Sequence, residues 1–414
     1  MQKCKHVQLN EQNTSHYRIP GRRSNNLTRI AAVFITVVLL LSAAGCAGPE
    51  TSLIEDTTPE ITTTRSTTET SRATETSAVT ETSAAPETSL TTESTTTATE
   101  TSVIPNNHLN FMTGEVLADP DAPKQRPMAF MVNNTKIGTP QIGTSEADLI
   151  FETEIEGGVT RMMAVYTDVS KVPELGSLRS LRHNFIDLAS GLDAIIVHVG
   201  SSYAAEAQLD SQGTKSINLQ VYPSAWWRDE IWWKERGKEH SVKTTSERMT
   251  VALERSGIRK ELRANQASFS LFNEPGKRVR AQGEVATLVT IPFSGYNKTT
   301  LTWDDAIGLY SKGEYGKPQL DLATGEPLRF SNALILLTSI TSFDGGILRQ
   351  IDLSSGKGYY VSAGYAEPIT WKKGDTNDPF VFYTADGNQL VMNTGKTYIA
   401  IVSNKRTISF NVEA

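Results

Sequence analysis

Hydrophobic positions divide the chain into three stretches with different patterns. An apolar run that only Thr36 interrupts covers residues 30–41, a stretch with almost no large apolar side chains covers residues 47–106, and apolar positions recur with regular spacing after that. These three patterns are typical of a targeting segment, a linker and a folded region, respectively. We therefore expect one folded region that follows an N-terminal targeting segment and a linker.

The first 46 residues have the order of parts found in a secretory signal peptide. Basic residues precede the apolar run, and small residues that end in Cys46 follow it: Arg22, Arg23, Arg29, Ala43, Ala44 and Gly45. This order predicts export across the membrane. The last four residues resemble the lipobox of bacterial lipoproteins, in which the cysteine is acylated, for example with palmitate, and becomes the new N-terminus.

Two interpretations of this segment stay open. In the favoured one, residues 1–46 are a signal peptide with a lipobox, and the acylated Cys46 attaches the protein to the lipid bilayer. In the other, residues 28–47 form an uncleaved anchor helix. The basic flank puts the rest of the chain on the extracytoplasmic face in both cases. We expect a lipid-anchored protein on the outer face of the cell membrane.

Residues 47–106 are expected to be a disordered linker rich in Thr, Ser and Glu. Residues 51–100 alone hold 20 threonines, and large aliphatic or aromatic side chains are almost missing. Such a segment cannot bury enough apolar surface to offset the entropy of ordering the chain. The linker would hold the folded region away from the membrane.

Residues 107–265 predict a mixed α/β module. Apolar runs and alternating positions indicate strands, and apolar positions spaced by three or four residues indicate helices. The pair Gly157-Gly158 between two alternating runs indicates a hairpin. The predicted strands cover residues 128–132, 149–156, 159–166 and 194–199, and the predicted helices cover residues 179–192 and a stretch that starts at 203 with Ser202 as its N-cap.

Several short motifs in this module occur in a recognisable order: Arg126-Pro127 with Asn133-Asn134, Pro140-Gln141 with Ala147-Asp148, Glu156-Gly157-Gly158 with Thr160-Arg161, and Gly176-Ser177 with Arg179-Ser180 and Arg182. In this order they resemble the YerB-like lipoproteins, a bacterial family long labelled a domain of unknown function. The resemblance covers roughly residues 112–405 in two successive modules. It implies an extracytoplasmic lipoprotein and no known activity.

Residues 280–414 predict a second module of mostly antiparallel β structure. Short β-rich runs alternate with turn signals such as Gly345-Gly346 and Asp386-Gly387, as in compact all-β units. The chain as a whole is therefore expected to be α+β or mixed α/β in its first module and β in its second. Gly395-Lys396-Thr397 does not complete a phosphate loop, because that motif needs a glycine where Leu390 stands.

The end of the strand over residues 194–199 is one candidate site. His198 closes this strand, and Ser201 and Ser202 follow at the start of the next helix. Ligands collect beyond strand C-termini in open α/β sheets, and helix N-termini attract anions. A carboxylate or phosphate could bind there, but the residues could equally be a cap and a packed strand residue.

Arginines form a second candidate site. Arg161, Arg179 and Arg182 fall in the family motifs, together with Arg126 and Asn134. If residues 179–192 are helical, Arg179, Arg182 and His183 share one helix face. Arginine suits bidentate binding of carboxylate or phosphate. The alternative is that these arginines only pair with nearby acids.

The third candidate is the aromatic and charged stretch over residues 226–240. Four of its residues are tryptophans, and tryptophan stacks on sugars and cations. The resemblance to the family adds residue-by-residue correspondences here, although Ser241 and Lys243 depart from the family's pattern. The candidate residues are Trp227, Arg228, Asp229, Arg236 and His240.

Composition narrows the function classes. The formal charge is −6 and the pI is about 5.7, but the linker holds most of the acidity, and residues 101–414 carry only −3. This balance argues against nucleic acid as a partner. Neither a cofactor motif nor a metal-ligand spacing is present, so we expect no cofactor and no metal.

Two functions remain as hypotheses. The leading one is non-catalytic binding of an envelope ligand, either a wall glycan, a peptide or an anionic small molecule, or binding of an envelope protein. The alternative is a cell-envelope hydrolase or lyase that uses Asp229 with His240, or Glu156, as acid and base.

Overall fold

A computed structural model of the chain describes residues 109–117 and 124–411. The expected signal peptide with its lipobox cysteine, Cys46, the alternative anchor helix and the linker over residues 47–106 lie outside the described residues. Within the described part, no helix is both long enough and apolar enough to cross a membrane.

The first half of the described chain alternates strands and helices. Its strands are β1 (Met128–Asn134), β2 (Leu149–Glu154), β3 (Thr160–Tyr166), β4 (Leu175–Gly176), β5 (Ile195–His198), β6 (Ser216–Asn218), β7 (Trp227–Arg228), β8 (Val242–Thr244) and β9 (Leu271–Phe272). Its α-helices are α1 (Asn184–Gly191), α2 (Tyr203–Gln212), α3 (Glu230–Arg236) and α4 (Ser246–Ser256).

The second half is built from strands. They are β10 (Glu284–Val285), β11 (Leu288–Pro292), β12 (Lys298–Asp304), β13 (Leu309–Glu314), β14 (Lys317–Pro318), β15 (Arg329–Phe330), β16 (Asn332–Thr338), β17 (Ile340–Ser342), β18 (Arg349–Ile351), β19 (Ser355–Ser362), β20 (Tyr365–Lys373), β21 (Phe380–Thr384), β22 (Val391–Met392), β23 (Thr397–Ser403) and β24 (Ser409–Phe410). The predicted fold class, mixed α/β followed by mostly antiparallel β, is confirmed.

One large sheet runs through both halves, in the order β10-β20-β19-β16-β23-β2-β3-β1-β5-β6, with β21 on β20. The halves meet where β23 pairs in parallel with β2 on one side and with β16 on the other. A second sheet, β14-β13-β12-β11-β24 with β15 on β13, comes from the second half alone. The boundaries of the two modules stay a prediction.

Alternation along the central strands fills both faces of the large sheet. Phe130, Ile150 and Tyr398 belong to one buried apolar cluster, which also takes in residues of the second sheet. Their neighbours Met131 and Phe151 belong to another, which includes the helix α1. Because both faces are covered, β2 is buried at every position, including its glutamates.

The predicted hairpin between β2 and β3 is confirmed. The strands pair antiparallel from Glu154 opposite Thr160 to Leu149 opposite Val165. Gly157 and Gly158 in the turn have φ angles of 69° and 71°, a region that glycine enters without steric cost. The turn sets the register that places Arg161 opposite Thr153.

The helix predicted over residues 179–192 begins only at Asn184. Residues 178–182 are extended instead, because their amides are used by neighbouring strands: the Arg179 amide donates to the Met131 carbonyl, and the Leu181 amide to that of Gly200. The expectation that Arg179, Arg182 and His183 share a helix face was therefore wrong. The expected N-cap is confirmed, since the Ser202 side chain accepts from the Ala205 amide.

Candidate anion-binding site

Arg161 is buried in the middle of the large sheet. It lies on β3 opposite Asn133 of β1, so both side chains share one face of the sheet. Its Nη1 atom donates to the Ser180 carbonyl at 2.6 Å, while its Nε atom has no hydrogen-bond partner. No described carboxylate lies within ion-pair distance of it. A buried guanidinium without an acid partner is costly.

The extended segment over residues 178–182 brings two more arginines to Arg161. Burial lowers the pKa of Arg161 well below its usual value, and the neighbouring charges of Arg182 and Arg179 lower it further. The Nη1 atoms of Arg161 and Arg182 lie 2.6 and 3.4 Å from the same Ser180 carbonyl oxygen, so these two positive charges are close neighbours. An anion placed beside them would relieve their repulsion.

Two glutamates neutralise only part of this charge. Arg182 donates from Nε to both carboxylate oxygens of Glu156, at 3.0 and 2.8 Å. Arg179 donates to the Glu239 backbone carbonyl at 2.8 Å and reaches its carboxylate at 3.2 Å, but the Glu239 side chain is 74% exposed. The cluster keeps a surplus of positive charge.

His240 closes the cluster on one side. Its Nδ1 atom lies 2.6 Å from the Asn133 side-chain nitrogen, which is a donor, so Nδ1 accepts and the neutral ring carries its proton on Nε2. Burial lowers the pKa of His240, and the positive charge of Arg179 lowers it further. A neutral imidazole at this position can donate one hydrogen bond to an anion.

The aromatic stretch borders the cluster through Arg228. The Arg228 guanidinium lies 5.3 Å from the ring centre of Trp226 and donates to the Lys238 carbonyl. Burial lowers the pKa of Arg228, and Arg179 adds to this effect. Arg236 stacks 4.0 Å from the ring centre of Trp232 and donates to the Pro140 carbonyl. Arg248, in turn, covers the ring of Trp227.

The contacts of Asp229 stabilise the local fold. It accepts the Trp232 amide at the N-terminus of α3 and pairs with Lys243 at 2.8 Å. Burial opposes its ionisation, but these hydrogen bonds outweigh burial and hold the pKa of Asp229 below its usual range. The pKa of Glu156 is lowered in the same way by Arg182. Neither carboxyl group has the raised pKa that suits a general acid at neutral pH.

Other candidate residues lie apart from the cluster or form hydrogen bonds with residues close to them in the fold. Arg126 lies beyond the opposite end of β1, where it donates to the carbonyls of Asp193 and Ala194 and pairs with the Asp193 carboxylate. The His198 ring is held between the Gly200 carbonyl and the Ser216 hydroxyl. Ser201 donates to Glu206. Ser201 and Ser202 nevertheless adjoin Leu181 and therefore the edge of the cluster.

A buried polar network on the other face of the sheet was missed by the sequence analysis, apart from Asn134. The Lys312 ammonium group lies 3.0 Å from carboxylate oxygens of both Glu152 and Glu314. The Asn134 amide bridges the same two carboxylates, and the Tyr398 hydroxyl donates to Glu152. Buried Lys312 and Glu314 alternate along β13, a period of two that could have drawn attention to this face.

Within the described residues, no group of three or more His, Cys, Asp and Glu side chains could hold a metal ion. Positive charge and hydrogen-bond donors are what the arginine cluster offers a ligand.

A solved crystal structure has a fold similar to that of this chain. The crystal structure of YerB from Bacillus subtilis covers 73% of the chain and 99% of its own length, with 28% identity and a TM-score of 0.64. The curated Bacillus subtilis protein "Putative lipoprotein YerB" is 30% identical over 286 residues, which make up 67% of the chain and 82% of that protein.

Family models assign the chain more specifically. Residues 112–259 match the N-terminal domain, and residues 289–399 the C-terminal domain, of the family described as "Protein of unknown function (DUF3048)". The chain belongs to this family, and the resemblance to YerB-like lipoproteins is confirmed.

Proposed function

We propose that the protein is a membrane-anchored extracytoplasmic lipoprotein that binds an anionic envelope ligand at the cluster of Arg161, Arg179, Arg182 and His240, without catalysis. The ligand carries a carboxylate or a phosphate and comes from the wall or from an envelope partner. The observation that carries the proposal is Arg161, a buried guanidinium with an unpartnered Nε atom beside two further arginines.

The anchor is supported by the N-terminal sequence and by the family. Cys46 follows a signal-like segment, and the similar Bacillus subtilis protein is named a lipoprotein. An acylated Cys46 would hold the protein at the bilayer, and residues 47–106 would give the binding domain reach from the membrane toward wall polymers.

The binding proposal is tested by titrating inorganic phosphate and acetate into the full chain in detergent micelles at constant ionic strength. Calorimetry on the wild type should give saturable binding. Arg179→Gln and Arg161→Gln should each weaken it about 10-fold or more, the size of one lost charge-assisted hydrogen bond. Arg179 is partly exposed, so its variant should fold even if the Arg161 variant does not.

Arg248→Gln is the matched control, since Arg248 covers Trp227 and donates to the Ser224 carbonyl away from the cluster. Its affinity should equal that of the wild type. Equal affinities for the wild type and Arg179→Gln, or no saturable binding, would contradict the proposal.

A further inference from the structure

A hairpin from the second half of the chain reaches the edge of the arginine cluster. We call this hairpin, β17 to β18 with residues 343–348 at its tip, the arm. The Asn184 side chain holds it by donating to the Arg349 carbonyl at 2.6 Å and accepting the Ile351 amide at 3.1 Å. Arg349 also pairs with Glu154 at 2.9 Å. The arm is thereby fixed next to Arg182.

The arm and α2 together present aromatic rings beside the cluster. Phe343 at the tip of the arm lies 4.5 Å from the His183 ring and 6.3 Å from the Tyr203 ring, measured between centroids. His183 follows Arg182 in the chain, and Tyr203 follows Ser202. His183 lines one small cavity with Arg182 and with Leu348 and Arg349 of the arm, so the aromatic pair of Tyr203 and Phe343 borders the cluster on the side of Arg182.

The exposure of this face indicates what it can bind. Tyr203 is 60% exposed, and Ile347 at the tip of the arm is 75% exposed. Phe343 is half-buried and its plane is tilted by 52° from that of Tyr203, so Tyr203 supplies the open face and Phe343 borders it. An open aromatic face suits a flat ring that is apolar on its face and polar at its edge, which is the character of a sugar. The cationic cluster beside it suits an acid group on that ring.

We propose that the ligand is a sugar that carries a carboxylate or phosphate, with its ring stacked on Tyr203 next to Phe343 and its acid group among the arginines. This inference rests on the proposed function and deepens it, because it assigns the part of the ligand next to the anion. The first and second halves of the chain then each contribute to one site.

The test compares acids with and without a ring, using the full chain in detergent micelles and calorimetry. N-acetylmuramic acid, N-acetylglucosamine and lactate separate the sugar from its acid group, and glucose 6-phosphate, glucose and phosphate do the same for phosphate. The sugar acids should bind about 3- to 10-fold more tightly than lactate or phosphate alone, the range expected for one stacking contact. The neutral sugars should bind more weakly than the sugar acids.

Tyr203→Ala should remove this advantage and leave the affinity for lactate and phosphate unchanged. Phe343→Ala should do the same, although it also removes the contact with His183. Tyr383→Ala is the matched control, since Tyr383 lies on β21, at the other end of the large sheet, under Lys372. It should behave as the wild type.

Equal affinity for sugar acids and for lactate or phosphate would overturn the sugar inference while leaving anion binding intact. Tighter binding of hexanoate than of N-acetylmuramic acid would overturn it in favour of an apolar acid. Failure of every acid to bind would overturn the proposed function as well.

Discussion

At the scale of single residues, His240 reports on the charge of the cluster. Burial and the charge of Arg179 hold its pKa below the usual histidine value. The imidazole signals of the protein, followed by NMR over a pH titration, should therefore show His240 titrating at a lower pH than an exposed histidine. Arg179→Gln should raise this pKa, since a positive neighbour is lost. Bound phosphate should raise it as well, since a negative charge favours the imidazolium form.

Arg248→Gln should leave the His240 titration unchanged, because Arg248 is not among the charges that shift it. A His240 pKa that does not move with Arg179→Gln would mean that the two side chains are not electrostatically coupled, and the cluster would lose one of its members.

At the scale of elements, the sequence predicts strands better than the path of the chain between them. The apolar runs over β1 and β5 identify buried strands because burial on both faces demands continuous apolar sequence. Leu181 and Phe185 suggested one helix over residues 179–192, yet Leu181 is buried in an extended segment. Only the pairing of that segment with β1 and with the residues after β5 decides its conformation, and no local pattern encodes it.

The short helix α3 depends on its N-terminal contacts. Asp229 caps it and also neutralises Lys243, whose buried side chain pairs with Glu174 as well. Asp229→Ala should lower the free energy of unfolding by about 1 to 3 kcal/mol, since it removes a cap and one partner of a buried ion pair. Asp229→Asn should cost less, because asparagine still caps. Urea denaturation measures both.

The control for this prediction is Glu230→Ala, which removes an acid from the first turn of α3 and leaves the capping side chain of Asp229 in place. It should cost only a few tenths of a kcal/mol. If Asp229→Asn instead abolished an enzymatic activity at unchanged stability, the structural role assigned to Asp229 would be wrong.

At the scale of the whole molecule, the residue types of the site could be predicted and their grouping could not. Arg161, Arg179, Arg182 and His240 were candidates from motifs, and so was Arg126, which the fold places beyond the opposite end of β1. The network around Lys312 joins residues that lie up to 246 positions apart in the chain. Such groupings follow from sheet order, which depends on β23 pairing between β2 and β16.

The same network connects the large sheet to the second sheet and holds more acidic groups than basic ones. Glu152 of β2 and Glu314 of β13 face a single ammonium group, that of Lys312, with Asn134 and Tyr398 as neutral partners. Burial raises the pKa of Glu314 to about 7, and the attraction of Lys312 only partly opposes this. In the unfolded chain a glutamate titrates near pH 4.3, so the folded state holds this proton more tightly.

The stability contributed by Glu314 is therefore present below the unfolded pKa and is lost as the pH rises toward 7. Urea denaturation from pH 5 to 8 should show the wild type losing about 2 to 3 kcal/mol relative to Glu314→Gln, whose neutral side chain leaves one acid for one ammonium group. The control is Glu326→Gln, which replaces an exposed carboxyl group paired with Arg329, and its unfolding free energy should change with pH as that of the wild type does.

Burial lowers the pKa values of His183, His198 and His240, so these histidines make the protein more stable as the pH rises. The comparison between variants cancels this effect, because all of them keep the three histidines. Parallel curves for the wild type and Glu314→Gln would show that Glu314 is ionised throughout, and the network would then be an ordinary ion pair.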